Sequence, residues 1–172
     1  DGSMKQVLQN LKTGETEVAE TPCPRPAAGQ LLIQTSRSLI SAGTERMLVD
    51  FGKASLLNKA LQQPDKVRMV LEKIRTDGLM ASMDAVRSKL EQPLALGYCN
   101  VGVVVELGTG VTGFKLGDRV VSNGPHAEMV RVARNLCAKI PENVDDESAA
   151  FAVIASVALQ GIRLAQIGRA TV

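Results

Sequence analysis

The sequence predicts an α+β fold, and three observations predict it. Residues 5–40 and the stretch after Pro93 carry the alternation and β-branched runs of strands. Between them, residues 45–91 carry apolar residues at helical spacing. A last apolar stretch, residues 148–166, has the length and composition of a helix. The expected order is strands, a helical insertion over about residues 46–92, strands again, and a C-terminal helix.

Taken in order, residues 5–10 and 15–20 flank Lys12-Thr13-Gly14, which reads as the turn of a hairpin. Pro22, Pro24 and Pro26 deprive the next segment of ladder donors, so it is an extended connector. Residues 30–40 alternate in their middle, with Leu31, Ile33 and Thr35 opposed to Leu32, Gln34 and Ser36. They run into the small-residue turn Ser41-Ala42-Gly43-Thr44-Glu45.

Pro64-Asp65 then opens a helix with Val67, Val70, Leu71 and Ile74 on one face, and Asp77-Gly78 ends it. A second helical pattern covers residues 80–90, and a weaker one residues 54–61. "VGVVVELG" (101–108) reads as a strand buried on both faces. Turn glycines, a further strand and another over residues 127–132 follow. Residues 143–147 offer caps to a single helix over 148–166.

Composition excludes several functions. Three Phe, one Tyr and no Trp leave few platforms for stacking bases, and a net charge of +2 leaves no basic stripe for a phosphate backbone. Nucleic acid is therefore not an expected partner. No apolar run is long enough to span a membrane, and no signal peptide is visible, so the reading is cytoplasmic, with no membrane partner. Cys23, Cys99 and Cys137 are odd in number and far apart, which suits reduced thiols rather than a disulfide framework or zinc knuckle. Asp1-Gly2-Ser3 before Met4 reads as a cloning remnant.

Three segments carry a resemblance: "SLISAGTE" (38–45), "PLALGYCNVGVVVELGTGVTGFKLGDRVV" (93–121) and "HAEMVRVARNLCAKIPENVDDESAAFAVIASVALQGI" (126–162). In this order they resemble the medium-chain dehydrogenase/reductase superfamily, and more narrowly its alcohol-dehydrogenase-like N-terminal domain. The resemblance implies a partly open GroES-like β-barrel over residues 4–166, with the helical insertion inside it. It assigns Gly102 to a place where a side chain would obstruct the barrel. Gly108, Gly110, Gly113 and Gly117 fall at its turns.

Function is carried by the departures from that pattern. Zinc-dependent members place a Cys where this chain has Ala42, and a His where it has Tyr98 of Gly97-Tyr98-Cys99. A third ligand is expected within residues 151–156, which contain no Cys, His, Asp or Glu. A methyl group cannot bind zinc, a phenol with pKa near 10 is a poor ligand, and catalytic zinc needs about three protein donors. The four-Cys structural zinc lobe is missing as well, so neither catalytic nor structural zinc is expected.

Two residues remain as expected catalytic groups: Thr44, at the family's hydroxyl position, and Tyr98, at the lost His position. Glu45 and Cys99 are weighed beside them, Glu45 as a cap or orienting group and Cys99 as a thiolate or an inert packing residue. His126, the chain's one histidine, reads by default as a solvated loop residue.

The helical insertion is longer than ordinary members lead one to expect. It resembles the insert of bacterial two-module oxidoreductases linked to surface-polysaccharide synthesis, which implies a small-molecule, sugar-related substrate. The alternative is a lid or oligomer contact, with a homo-oligomer as the partner.

Family members bind NAD(P) in a Rossmann-type domain following the barrel. Gly108-x-Gly110-x-x-Gly113 matches a dinucleotide fingerprint in letters only, because a strand and not a helix follows it. Residues 167–172 fall where a first cofactor-domain strand is expected. Two functions follow. One is the catalytic and substrate-binding domain of a zinc-independent NAD(P)-dependent oxidoreductase, truncated and inactive alone, with the Rossmann-type domain as its missing partner. The other is a non-catalytic barrel that serves as a protein-interaction or oligomerisation module.

Overall fold

The structure is a computed structural model that describes residues 2–54, 58, 61–77, 88 and 91–166. Among the described residues there are eight strands: β1 (Ser3–Gln9), β2 (Thr16–Pro22), β3 (Gln30–Ser38), β4 (Leu94–Ala95), β5 (Asn100–Leu107), β6 (Arg119–Ser122), β7 (Met129–Ala133) and β8 (Cys137–Lys139). The helices are α1 (Thr44–Lys53), α2 (Pro64–Asp77), α3 (Asp146–Ala149) and α4 (Ala152–Leu164). Two open sheets result, one ordered β2-β1-β4 and the other β7-β3-β5-β6-β8. The α+β expectation holds, and the partly open barrel takes the form of two sheets rather than a closed barrel.

The chain divides into two compact units. The first comprises Asp1–Gln6, Ala19–Ile40 and Gly97–Val172 and contains the five-stranded sheet. All its strand pairings are antiparallel, and β3 and β5 lie at its middle, as their apolar composition predicts. Leu31, Ile33, Val104, Val120, Val130 and Val132 form the main core, with Phe114 and Cys137 packed against it. A second cluster joins Val101 and Val121 to Ala149 and Ala150 of the α3–α4 junction.

Gly102 acts at a strand interface: a Cβ there would lie 2.1 Å from the Gln34 carbonyl oxygen, in the backbone of paired strand β3. Only hydrogen fits so close an approach.

Three details differ from expectation. Burial on both faces of β5 holds for Asn100–Gly102 but lapses at Val105, which is 37% exposed; β6 pairs only with Asn100–Val103. The single helix over 148–166 is instead α3 and α4. Its junction carries an i→i+3 bond, with the Phe151 N–H donating to the Ser148 carbonyl, as Ala149 and Ala150 pack on the sheet. Finally, β4 and β8 are strands of two and three residues, too short to display a period in sequence.

The second unit comprises Val7–Val18 and Ser41–Leu96. Within it Leu8 and Gln9 pair with Ala95 and Leu94. The side chain of Gln9 is fully buried and bonded to the Thr16 hydroxyl. Gly52 of α1 lies against that amide, where a Cβ would come within 2.6 Å of Nε2. The helix expected from Pro64 is α2, with Val67 and Val70 half-buried. The side chains of Leu71 and Ile74 lie outside the described ones. So do most of the expected helices at 54–61 and 80–90, and all of the stretch 167–172.

Candidate functional site

Strand β5 begins at Asn100, and the corner that feeds it is Gly97-Tyr98-Cys99. Gly97 adopts φ +94°, a region that L side chains rarely occupy. The space its Cβ would take is filled by His126: the backbone nitrogen at 2.6 Å and ring atoms Cγ and Cδ2 at 2.8 Å. Glycine is therefore required there twice, once by conformation and once by the imidazole. Tyr98 is half-buried and Cys99 is fully buried, and the Cys99 carbonyl accepts from the Leu39 N–H at 3.0 Å.

Contrary to the default reading, His126 is not a solvated loop residue. It is 9% exposed, and its Nδ1 lies 2.9 Å from Ser38 Oγ at the end of β3. The loop carrying it is held from beneath. The fully buried Asn100 amide donates to Thr35 Oγ1 at 2.8 Å, and Thr35 Oγ1 donates to the Ala127 carbonyl at 2.6 Å. On the other side Ser122 Oγ lies 3.4 Å from Asn100 Oδ1 and accepts from the Gly124 N–H at 3.2 Å. Buried polar groups are costly unless satisfied, so this chain of bonds fixes the loop in one arrangement.

The other expected site residues belong to the second unit. Thr44 is the first residue of α1 and is exposed. Glu45 is 6% exposed, and its Oε1 accepts from the Ser41 N–H at 2.8 Å, so the carboxylate closes the turn that enters the helix. Thus Thr44 and Glu45 adjoin in one unit, and Tyr98 and Cys99 in the other.

Away from this corner, Asp146 caps a separate arrangement. Its carboxylate takes bonds from the Ser36 hydroxyl at 2.5 Å and from Arg119 at 2.5 and 3.1 Å. The Ser36 bond first, and then the Arg119 fork, hold its pKa below the ordinary carboxylate value. Burial pushes the Cys137 thiol up to about 11, which keeps it protonated and unreactive near neutral pH.

Among the described residues no group of three His, Cys, Asp or Glu side chains is placed to hold a metal ion. The three positions that the resemblance assigns to zinc ligands hold Ala42, Tyr98 and the stretch 151–156, whose only hydroxyl, Ser156 Oγ, donates to the Val153 carbonyl. That donor set does not fit zinc. Sequence reasoning missed Ser38, Asn100 and His126 as parts of the corner. A buried partner for Gly97 is a long-range contact with no local signature; the one available signal was a lone His after a Pro-containing turn.

Comparison with known proteins gives the same outline. The model of the alcohol dehydrogenase GroES-like domain matches residues 69–143. An acryloyl-coenzyme A reductase from Metallosphaera sedula is 23% identical over 195 residues, covering 95% of this chain and 48% of that protein. A quinone oxidoreductase from Coxiella burnetii superposes with a TM-score of 0.66 at 20% identity, covering 96% of this chain and 46% of its own. A structure described as a short-chain alcohol dehydrogenase from Escherichia coli CFT073, in complex with NADH, gives a TM-score of 0.67 at 17% identity, covering 96% and 47%. The chain thus spans less than half the length of each of these relatives.

Proposed function

We propose, from the premise that this chain is an N-terminal, GroES-like domain of the medium-chain dehydrogenase/reductase family, that it forms the substrate-binding half of a zinc-independent, NAD(P)-dependent oxidoreductase. The observation that carries this reading is the corner Gly97-Tyr98-Cys99. Its Gly97 packs against His126, and Tyr98 falls where the resemblance expects a zinc-ligating His.

Without a Lewis acid, a carbonyl or activated alkene must be polarised by hydrogen bonds. Tyr98 supplies one, donating its proton to the oxygen that gains charge as the adjoining carbon accepts hydride, and the phenolate is then reprotonated by water. Thr44, the candidate hydroxyl of the other unit, is exposed on the first turn of α1. Glu45 holds the turn on which Thr44 sits, and Cys99 packs beneath the corner. A nicotinamide bound by a Rossmann-type domain supplies the hydride.

Support for such a partner domain comes from α4. Its polar residues, Ser156, Gln160 and Arg163, fall on one stripe, while Val157, Leu159, Ile162 and Leu164 stand 46–73% exposed. A helix apolar around most of its circumference is one that another layer covers. The names of the relatives, reductases and a dehydrogenase holding NADH, support the reaction class.

The 172-residue chain is expected to be inactive alone. Calorimetric titration with NADPH should show no binding, and micromolar affinity would refute the partner-domain reading. In a protein that also carries the nucleotide domain, Tyr98→Phe should lower kcat by about 10²-fold or more. Unchanged turnover would remove Tyr98 as the proton donor and favour the non-catalytic interaction module.

A further inference from the structure

We infer that His126 is a positioning residue whose imidazole, held by Ser38, sets the conformation of Tyr98 through the Gly97 backbone. The inference rests on the reading of Tyr98 as a site residue, but its geometry stands independently. Three separate restraints converge on this histidine and the loop that carries it. Ser38 Oγ takes Nδ1 at 2.9 Å. Thr35 holds the Ala127 carbonyl immediately after the histidine, and Ser122 holds the Gly124 amide two residues before it. Asn100, without any exposure, links those two hydroxyls through the middle of the sheet.

That much buried polarity would be replaceable by apolar packing if the loop only needed covering, since satisfied networks give uniqueness more than stability. What the network secures is the place of the imidazole, and the imidazole occupies the space beside Gly97 Cα. Gly97 adopts its left-handed conformation immediately before Tyr98. Moving the ring takes away the wall against which that conformation is set. Removing Nδ1 removes the ring's bond to Ser38. In either case the phenol loses its fixed direction, and direction is what a proton donor needs at the moment of transfer.

The composition supplies a direct probe. Tyr98 is the only tyrosine and the chain has no tryptophan, so tyrosine emission reports Tyr98 alone; His126 is the only histidine, so its ring protons give a single set of resonances. Acrylamide quenching of the untagged chain should rise by about twofold in His126→Ala, as expected when a packed neighbour is removed and the segment opens more often. His126→Asn keeps a polar atom at the Nδ1 place for Ser38 and should restore most of the wild-type value. Ser38→Ala should fall between the two. Reciprocally, Tyr98→Leu should shift the His126 Cε1 proton.

Unchanged quenching in a folded His126→Ala variant overturns the inference. If that variant does not fold, unchanged quenching in Ser38→Ala does the same. An Asn variant no better than Ala also counts against it, because a purely space-filling role would not distinguish them by polarity. The catalytic reading fails separately: altered quenching in His126→Ala alongside full turnover in Tyr98→Phe supports the positioning role and removes the proton donor.

Discussion

The middle of the five-stranded sheet and helix α4 belong to the same unit and are built from similar apolar residues, yet their situations are opposite. In the sheet, Leu31, Ile33, Val101 and Val120 have no exposure, and each lies between paired strands. In α4 only Val153 and Ile154 are half-buried, and every other residue stands exposed. The sheet satisfies its own hydrophobic requirement through strand pairing and two core clusters. The helix, anchored to one of those clusters by Val153, offers apolar surface that its own unit does not use. Hydrophobicity alone therefore does not locate the core: the same residue types close one region and advertise another.

The largest effect expected from breaking this comparison is at Gly102. A β-branched side chain there must enter the backbone of β3, so Gly102→Val should abolish cooperative thermal unfolding; a melt retained within a few degrees of wild type would show that the β3–β5 pairing tolerates separation. Next, Ile33→Ala in the same sheet should cost about 3 kcal/mol by chemical denaturation, within the range for buried large-to-small changes.

Asp146→Asn should cost less, about 1 kcal/mol, because its Arg119 partner is partly solvated. The sign follows from its lowered pKa. The stabilisation is present above the ordinary carboxylate pKa and is lost as pH falls through the lower folded value. Denaturation midpoints of wild type and Asp146→Asn should therefore differ at pH 7 and converge in acid. Equal midpoints at both pH values would mean that the Ser36–Asp146–Arg119 bonds contribute nothing measurable.

Smallest of all, Val157→Ser or Leu164→Ser in α4 should change stability by no more than about 0.5 kcal/mol. Binding of a hydrophobic dye should nonetheless fall. A stability loss comparable to that of Ile33→Ala would erase the distinction between the two regions.

Most of the strands were legible in sequence because their signals are local. Alternation over residues 30–36, the β-branched run of β5 and the turn glycines each act within a few residues. The short strands β4 and β8 were not legible, since their pairing depends on partners far along the chain. The split between α3 and α4 was hidden by unbroken helix propensity; packing of Ala149 and Ala150 produces it.

At the candidate site, Ala42 and Tyr98, which the resemblance sets at zinc-ligand positions, could be read from motif register. The burial of His126 could not, because Gly97 and His126 are brought together by the fold alone. The insertion between Glu45 and Pro93 was recognisable as helical from α2, but nothing in its spacing names a ligand.

Zinc content tests the central claim most directly, for the account holds that the corner at Tyr98 works by hydrogen bonding. Elemental analysis of the purified, untagged protein after dialysis against a weak chelator should find zinc far below one equivalent per chain. One equivalent of zinc per chain that survives this dialysis and leaves only with a strong chelator would contradict the account.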